Sequence, residues 1–397
     1  MMDAKGGAAG PRIVGLTLFG DPFDRTSWSG SNWSLFSGLQ RRSVLQDAGS
    51  VDLTLPQKLL SAAMNFSLDR RRIYLDLMKS RESFYWRSRN AEAILRRQTA
   101  NFNCVLQVSA LYLPSLPKDV LHCSYHDGNT AVSRRPEFSF MSAASPRVMR
   151  DSWAYEMDFY RRMNLIFTMS EWLRQSMIVD FRVAEERVVA VGAGVNFSSD
   201  IDYAKESLGK DPSAKIALFV ATNFEHKGGP ALVEAFRQVR QEVPQAELWI
   251  VGCTPGLNEP GIRELGVLDK SDPAQEAEMR NLYSQATVFV LPTLYDAFGI
   301  AFVEAMYYRL PCIGSNRCAV PEIVADGETG FIVDPTSVLQ LRDKMLTLFK
   351  DDGLATRMGE AGYQRAKSRY SWDIAVDTML EKMRQTQPHG VATKATT

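Results

Sequence analysis

Two carboxylates, Asp296 and Glu304, flank a glycine at the point where a loop is predicted to become a helix. The first N–H groups of a helix have no partner within it, and the helix dipole adds partial positive charge there. Because Gly299 has no Cβ, a ligand could approach the backbone between Phe298 and Ile300 closely. The stretch therefore predicts an anion site suited to a phosphate.

Glu304 lies about one turn into this predicted helix. A carboxylate there could accept both hydrogen bonds of a vicinal diol, such as that of a ribose. The alternative is an ordinary solvated glutamate. Its neighbours in the sequence are apolar, namely Phe302, Val303, Ala305 and Met306. A helix with such neighbours is expected to be buried, which favours a specific partner for Glu304.

A lysine follows the first strand of the second half of the chain. Lys227 lies in the loop ATNFEHKGG, between a predicted strand at 216–220 and a helix that begins near Pro230. From that position an ammonium group could reach an incoming pyrophosphate as a point charge. The alternative is a solvated surface lysine, which the following Gly228 and Gly229 make less favourable.

A histidine ends a predicted strand in the first half. His126 follows a strand at 120–125 and precedes Asp127. Open α/β sheets bind ligands at the carboxyl ends of their strands. Two interpretations stay open: His126 is a polar group beside a sugar or acceptor, or it pairs with Asp127 to hold the loop. A metal site with His122 and Cys123 is disfavoured, because strand neighbours face opposite ways and no fourth ligand is evident.

A long polar loop, GDPFDRTSWSGSNWS, separates the first predicted strand from the first helix. Gly30 lies in it between two serines, where a phosphate or sugar could come close to the backbone. The alternative is an ordinary loop in which Ser31 or Asn32 caps the helix.

Strands and helices alternate along the chain, which predicts the α/β class with two doubly wound domains. The connection between them is predicted at about residues 196–213, and its Asp200-Ile201-Asp202 is interpreted as linker rather than as a metal site. Strands are predicted at 13–19, 51–55, 105–111, 120–125, 165–169, 188–191, 216–220, 248–252, 287–291 and 312–314. Helices are predicted at about 33–46, 59–98, 145–162, 278–285, 337–350 and 354–369, with a last helix from 371.

A longer series of residues accompanies the first two carboxylates: Asp296-x-Phe-Gly, Glu304-Ala-Met, Leu310-Pro311, Pro321-Glu322-Ile323-Val324 and Gly327-x-x-Gly330. The series resembles the donor-site signature of the retaining glycosyltransferases of family four. That signature has two glutamates separated by seven residues, whereas this chain has Asp296 at the first position. The resemblance covers about residues 165–385 and is weak before them.

The resemblance implies the GT-B fold, in which two Rossmann-like domains face a central cleft. Residues 1–196 would form the acceptor-binding domain and 197–371 the donor-binding domain, with a helix at about 372–386 returning to the first domain. The implied reaction moves a hexosyl unit from a nucleotide-diphosphate sugar to an acceptor hydroxyl, with retention of configuration and without a metal. The nucleotide sugar would be a co-substrate, and no cofactor is implied.

The resemblance also implies roles for individual residues. Lys227, with the N–H groups at Gly299 and Ile300, would stabilise the leaving phosphate, Asp296 would hold sugar hydroxyls, and His126 would lie near the transferred sugar. Thr222 occupies the position where the family commonly has an arginine, so part of the cationic clamp is missing or comes from Arg317 or His226. Two alternatives stay open: a nucleotide-sugar epimerase, for which no convincing acid–base pair is found, and a non-catalytic nucleotide-sugar binder.

Composition restricts the partners. The chain has 46 Lys plus Arg and 46 Asp plus Glu, and this balance argues against nucleic acid. No apolar run has the length of a membrane-spanning helix, and the first ten residues lack the apolar core of a signal peptide. The five cysteines are odd in number and scattered, which favours a reducing compartment and hence the cytoplasm. Residues 1–10 and those after Gln385 are expected to be disordered.

A basic helical stretch at 59–98 leaves the acceptor open. Its arginines alternate with Phe84, Tyr85 and Trp86. Such a pattern is most often the wet face of a core helix, but it could also suit a lipid-linked acceptor or a weak peripheral membrane contact. Acidic residues within the stretch weaken the membrane interpretation. A carbohydrate or another small molecule stays open as the acceptor.

Overall fold

The computed structural model describes residues 10–386, leaving out 19, 100, 136–143, 199–200, 207–210 and 212. The expectation of disorder for residues 1–9 and 387–397 lies outside the described residues, as does Asp200 of the Asp-x-Asp sequence. None of the helices in the described part of the chain combines the length and the apolar character that crossing a bilayer requires.

The first half of the chain forms a parallel sheet with its connecting helices. In chain order the elements are β1 Ile13–Thr17, α1 Ser31–Arg41, β2 Leu45–Ser50, α2 Leu55–Met64, α3 Arg70–Lys79, α4 Arg81–Arg96, β3 Cys104–Val108, β4 Leu121–His126, α5 Thr130–Ser133, α6 Pro146–Arg162, β5 Leu165–Thr168, α7 Glu171–Val179 and β6 Val188–Ala190. Short 3-10 turns lie at Ser27–Gly30 and Glu185–Arg187.

The second half repeats this architecture. Its elements are α8 Tyr203–Glu206, β7 Ile216–Val220, α9 Gly229–Glu242, β8 Glu247–Val251, β9 Ile262–Glu264, α10 Pro273–Gln285, β10 Val288–Leu291, α11 Ile300–Tyr307, β11 Cys312–Ser315, α12 Val320–Ile323, β12 Gly330–Val333, α13 Val338–Lys350, α14 Asp352–Arg369 and α15 Trp372–Thr386.

Both sheets are parallel throughout, with the strand orders β2-β1-β3-β4-β5-β6 and β12-β11-β10-β7-β8-β9. Their central strands are short, fully buried apolar runs such as VFVL in β10, because the faces of a parallel sheet are covered by the crossover segments. Strand order reverses between β1 and β3 in the first sheet and between β7 and β10 in the second. Doubly wound sheets bind ligands at such reversals. The predicted α/β class is confirmed.

The second strand was predicted at the wrong place. The sequence predicted a strand at 51–55 and a first helix that continues to residue 46. In the structure α1 ends at Arg41, and the second strand, β2, is Leu45–Ser50. β2 is an edge strand with the polar sequence LQDAGS, so it carries no apolar run to reveal it. The apolar residues Val51 and Leu53 are buried in the connection to α2 instead. The three-residue strand β9, IRE, was missed for the same reason, whereas β12 was missed although its sequence GFIV is apolar.

The last helix lies against the first domain although it follows the second in sequence. Arg42, the C-cap residue of α1, forms ion pairs with Asp373, at 3.1 Å, and with Asp377, at 2.5 Å. Trp372 donates a hydrogen bond from its indole N–H to Asn196 at 3.0 Å. The apolar stripe of α15 is buried: Trp372, Ala375, Val376, Met379, Leu380 and Met383. Packing of this stripe, more than the exposed ion pairs, holds the helix in place.

Ending the chain at Tyr370 should destabilise the first domain. The loss of the buried stripe of α15 exposes its partner face on α1, and several kcal/mol of lost burial should lower Tm by about 10 °C or more. Calorimetry would measure Tm, and hydrogen exchange in α1 would place the loss in the first domain. A chain ending at Thr386 is the matched control. Equal Tm for the two truncated chains would contradict the contribution assigned to α15.

Candidate active site

Lys227 and Asp296 lie at the centre of the cleft, where the strand order of the second sheet reverses. Lys227 lies in the loop after β7 and Asp296 in the loop after β10, and β7 and β10 are hydrogen-bonded neighbours. The Lys227 Nζ lies 2.7 Å from Asp296 Oδ2 and donates a second hydrogen bond to the carbonyl of Tyr295 at 3.2 Å. Both side chains are about one-fifth exposed, so the pair is open to a ligand.

Two glycines make this arrangement possible. Gly228, directly after Lys227, has φ of 77°, and a Cβ there would lie 2.0 Å from the carbonyl oxygen of Pro292. Gly299 has φ of 93° and is the N-cap residue of α11. Among the described residues no side-chain cap hydrogen bond is made at the start of α11, so its first N–H groups keep their positive character at the end of the loop that carries Asp296.

Glu304 is buried within the second domain. Its carboxylate accepts hydrogen bonds from the ammonium of Lys270 at 2.5 Å and from the hydroxyl of Tyr283 at 3.1 Å. The solvated alternative for Glu304 is therefore wrong. Lys270, in the loop before α10, also lies 4.5 Å from the ring centroid of Phe197. Sequence reasoning missed Lys270; the one available signal was that a buried carboxylate requires a cationic or hydrogen-bonding partner.

His126 ends β4 on the opposite wall of the cleft. It is buried, and its ring lies edge-on to the rings of Phe159 and Tyr160, with centroids 5.9 and 5.5 Å away. Burial lowers the pKa of His126 to about 3, so the ring is neutral at ordinary pH. The interpretation as a His–Asp pair is wrong, because Asp127 instead accepts a hydrogen bond from the indole N–H of Trp28 at 3.1 Å.

A cavity of about 370 Å³ lies between these two walls. We call it the interdomain pocket. From the second domain it is lined by Lys227, Tyr295, Asp296 and Ala297. From the first domain it is lined by residues that include Thr17, Trp28, Asn32, Lys79, His126, Asp127, Glu156 and Tyr160. Asp127 and Asp296 line the same pocket, and removal from water and the nearby Asp296 both raise the pKa of Asp127.

Three buried polar atoms in the lining have no hydrogen-bond partner among the described residues: Asn32 Oδ1, His126 Nε2 and Tyr160 Oη. The amide nitrogen of Asn32, in contrast, donates to Thr17 Oγ1 at 2.6 Å and to Ser27 Oγ at 2.7 Å. Buried polar atoms of folded proteins are nearly always hydrogen-bonded. The three residues that carry these atoms all line the first-domain wall of the pocket.

A buried charged group completes this wall. The ammonium of Lys79 donates to Thr130 Oγ1 at 2.9 Å and lies 3.8 Å from Glu156 Oε1. Glu156 accepts from the backbone N–H of Thr130 at 2.8 Å and from its hydroxyl at 2.6 Å. Sequence reasoning missed these residues, because nothing in the spacing of Lys79 and Glu156 indicates that α3 and α6 bring them together.

The part of the chain that carries these residues is similar to a known protein family. Residues 200–365, which include Lys227, Asp296 and Glu304, match the family described as glycosyl transferases group 1. The match covers most of the second domain. The match confirms the resemblance drawn from the donor-site signature. It does not extend into the first domain, where the sequence resemblance is also weak.

Alpha-maltose-1-phosphate synthase of Mycobacterium tuberculosis is 30% identical over an alignment of 197 residues. The alignment covers 45% of this chain and 50% of that protein. The chain thus spans about half the length of the curated relatives it matches. Sucrose-phosphate synthase of Thermosynechococcus elongatus has a similar structure, with a TM-score of 0.67 and 16% identity over 94% of this chain and 98% of its own. The structure of HepE from Anabaena, in complex with UDP and glucose, is also similar. Its TM-score is 0.62 and its sequence identity is 15%, and the match covers 94% of this chain and 99% of HepE. These likenesses confirm the GT-B fold.

Within the group 1 domain, the remaining predicted donor residues lie outside the interdomain pocket. Thr222 is exposed, and neither it nor the two proposed substitutes for the missing arginine, His226 and Arg317, lines the pocket. Phe298 is buried, with its ring centroid 6.0 Å from that of Tyr370. Ile300 is the first residue of α11. Donor contacts by these residues stay predictions.

Gly30 has a structural reason to be glycine. It is the N-cap residue of α1 with φ of 90°, and a Cβ there would lie 3.1 Å from the Cβ of Asn196. Asn196 in turn donates to the carbonyl of Ser29 at 2.9 Å and to Ser31 Oγ at 3.0 Å. The glycine thus lets the loop before α1 approach the start of the interdomain connection, and it does not line the pocket.

Side chains from one domain satisfy backbone and charged groups of the other. Glu322, part of the donor-site signature, accepts hydrogen bonds from the backbone N–H of Glu171 at 2.8 Å and from that of Trp172, and so caps α7 of the first domain. Arg25 pairs with the buried Glu276 of α10 at 2.9 Å. The α7 cap places a carboxylate at the positive end of a helix dipole. These contacts hold the two walls of the pocket in register.

Replacing His126 with glutamine should make folding less sensitive to acid. The folded pKa of His126, about 3, lies below its ordinary value of 6.5, so its contribution to stability is present above pH 6.5 and is lost as pH falls towards 3. Between pH 7 and 5 the wild-type chain should lose roughly 2 kcal/mol more of its unfolding free energy than His126→Gln. Urea unfolding at both pH values measures this. Equal losses would contradict a neutral buried ring.

Proposed function

We propose that this protein transfers a hexosyl unit from a nucleotide-diphosphate sugar to an acceptor hydroxyl, with retention at the anomeric carbon and without a metal. The observation that carries the proposal is the Lys227–Asp296 pair. It lies within the part of the chain that matches group 1 glycosyl transferases and at the strand-order reversal, and it faces a pocket whose other wall has three polar atoms without a hydrogen-bond partner among the described residues. A protein that only bound nucleotide sugars would need no such second wall.

The donor would lie with its diphosphate at the start of α11. The glycosidic bond between the anomeric carbon and the phosphate oxygen breaks, and negative charge grows on that oxygen. Lys227 and the uncapped N–H groups of α11 stabilise this charge. The acceptor hydroxyl forms the new bond on the same face of the sugar and passes its proton to the leaving phosphate, which gives retention. No protein base is required for this step.

The diphosphate would compete with Asp296 for Lys227. When the ammonium turns towards the phosphate, Asp296 becomes available to accept hydrogen bonds from sugar hydroxyls. Tyr295, next in the chain, has a hydrogen bond to Ser133 of the first domain, which fixes this loop against the opposite wall. The pair therefore changes partners on donor binding without movement of the backbone.

The acceptor would occupy the first-domain side of the interdomain pocket. Asn32, His126 and Tyr160 supply one acceptor atom, one ring nitrogen and one hydroxyl that have no partner in the described residues. Lys79 and Glu156 add a charged pair at the same wall. This lining supports a polar acceptor with several hydroxyls, because each unpartnered atom regains a hydrogen bond when such a molecule binds.

Incubation with a panel of nucleotide sugars tests the proposal. A transferase should release nucleotide diphosphate faster when an acceptor is present, and it should do so in the presence of a chelator. An epimerase would convert the donor sugar without net release, and a binder would show neither change. Proton NMR of the first product would report the anomeric configuration. Activity that is lost in chelator and restored by manganese would contradict the metal-free step, and an inverted linkage would contradict the same-face step.

A further inference from the structure

The helix α2 presents its apolar residues to solvent. Six large apolar side chains on α2 and in the loop after it are more than half exposed, and the most exposed is Leu68 at 92%. We call them the α2 face: Leu55, Leu59, Leu60, Met64, Phe66 and Leu68. Contiguous exposed apolar residues of this kind mark interaction sites, whereas single ones are ordinary.

The orientation of α2 is the reverse of that of an ordinary surface helix. Its one fully buried residue is Ser61, whose hydroxyl lies 2.9 Å from that of Ser83 on α4. The helix thus packs on the first domain through a hydroxyl contact and turns its leucines outward. Its start is well formed, with a capping box between Thr54 and Gln57. A stable helix with its apolar side outward requires an apolar environment on that side.

Charge favours a lipid surface as that environment. The neutral total of the chain hides an asymmetry: residues 10–196 carry 24 Lys and Arg against 18 Asp and Glu. Residues 51–98 alone carry ten against five. Beside the α2 face, Arg70, Arg71 and Arg72 open α3, whose N-cap Asp69 accepts from the backbone N–H groups of Arg71 and Arg72. An ion pair with Asp76, at 3.6 Å, partly neutralises Arg72. Another, with Asp52 at 2.8 Å, does so for Lys58.

The aromatic residues singled out in the basic stretch lie on α4 and do not belong to the α2 face. Phe84 stacks on Tyr155 with ring centroids 4.4 Å apart, and Tyr85 is exposed. The α2 face lies two helices earlier in the chain.

We propose that the first domain docks through the α2 face on an anionic lipid surface, with α2 lying in the interface and the arginines at the start of α3 beside the headgroups. Apolar residues on one side and cations beside them are the features of an interfacial helix. The other end of α3 is Lys79, which lines the interdomain pocket. Ten residues of α-helix span about 14 Å, so docking holds the pocket close to the bilayer.

Sedimentation with vesicles tests the proposal. The full chain should partition onto vesicles of phosphatidylcholine mixed with phosphatidylglycerol and much less onto phosphatidylcholine alone. The variant Leu60→Ser/Phe66→Ser/Leu68→Ser should lower the partition constant by about tenfold or more, because three side chains lose their apolar contact. The control Val179→Ser/Val267→Ser/Leu339→Ser changes three residues that are more than half exposed elsewhere and should behave as the wild-type chain.

A separate variant tests the contribution of the arginines at the start of α3. Arg70→Gln/Arg71→Gln should lower the partition constant by about tenfold or more on the mixed vesicles and reduce its salt dependence. The two variants with three serines should keep the wild-type Tm, because the changed side chains are more than half exposed. No nucleotide or acceptor is present in these measurements, so they stand apart from the transferase proposal.

Two results would overturn the docking proposal. One is a wild-type chain that does not sediment with the mixed vesicles. The other is a wild-type dimer in light scattering that becomes a monomer in the variant with three serines on the α2 face, since that face would then be an interface between two copies of the chain.

Discussion

Replacing Lys227 with alanine should lower kcat by about a hundredfold or more and change KM much less. The ammonium is proposed to meet charge that develops on the leaving phosphate, and the loss of one such group typically costs this much. The variant also leaves Asp296 without its cation at 2.7 Å, so an unpaired carboxylate faces the phosphate. Steady-state kinetics with a saturating acceptor measures the effect.

The double variant Lys227→Ala/Asp296→Asn separates these two contributions. If repulsion from Asp296 accounts for part of the loss, the double variant should be more active than the sum of the two single changes predicts. Lys215→Ala is the matched control. Lys215 also pairs with one carboxylate, Asp352 at 2.5 Å, and lies outside the pocket. A Lys227→Ala chain with raised KM and unchanged kcat would assign Lys227 to ground-state binding instead.

Replacing Glu304 with glutamine should weaken the binding of nucleotide diphosphate and donor alike by about tenfold to a hundredfold. A hydrogen bond to a charged group is worth roughly 1.5–3 kcal/mol, and the ribose contacts change little during the reaction. KM should therefore rise more than kcat falls. Calorimetry with the nucleotide diphosphate, together with steady-state kinetics, measures both.

Lys270 and Tyr283 already donate hydrogen bonds to the Glu304 carboxylate. Variants of these two residues therefore make the test of Glu304 more specific. A ribose diol would replace Lys270, which lies on a loop, rather than Tyr283 in α10. Lys270→Ala should therefore weaken nucleotide binding far less than Glu304→Gln, and Tyr283→Phe keeps the ring as a control. If Glu304→Gln binds the nucleotide normally but is inactive, the roles of Glu304 and Asp296 should be exchanged.

The sequence predicted the centre of each sheet well and its edges poorly. Central strands such as β7 and β10 are continuous apolar runs because they are buried on both faces. The edge strands β2 and β9 have polar or very short sequences, and only pairing with a neighbour reveals them. In the same way, apolar residues 51–53 indicated burial, which an irregular connection provides as well as a strand.

The residues of the site also divide into those that local sequence signals predicted and those that they did not. Lys227, Asp296 and Gly299 could be found because each follows a strand or precedes a helix, where local sequence signals are strong. Lys79, Glu156, Lys270 and Tyr160 could not, because their importance comes from contacts between elements distant in the chain. His126 shows the limit of a local signal: its position at a strand end was predicted, but the burial that keeps its ring neutral depends on residues such as Phe159 and Tyr160 of α6.

The position of α15 has a consequence for the order of folding during synthesis. Domains generally fold as units, the N-terminal one first, as the chain emerges from the ribosome. Here the first domain is completed only by the last helix of the described chain, because Val376 and Met383 lie against Gly38 of α1 and Cys104 of β3. Until then, the apolar surface that receives α15 stays exposed for the whole time in which the second domain is made. The nascent first domain therefore passes through a stage with an open apolar face, at which chaperones or a wrong partner can bind.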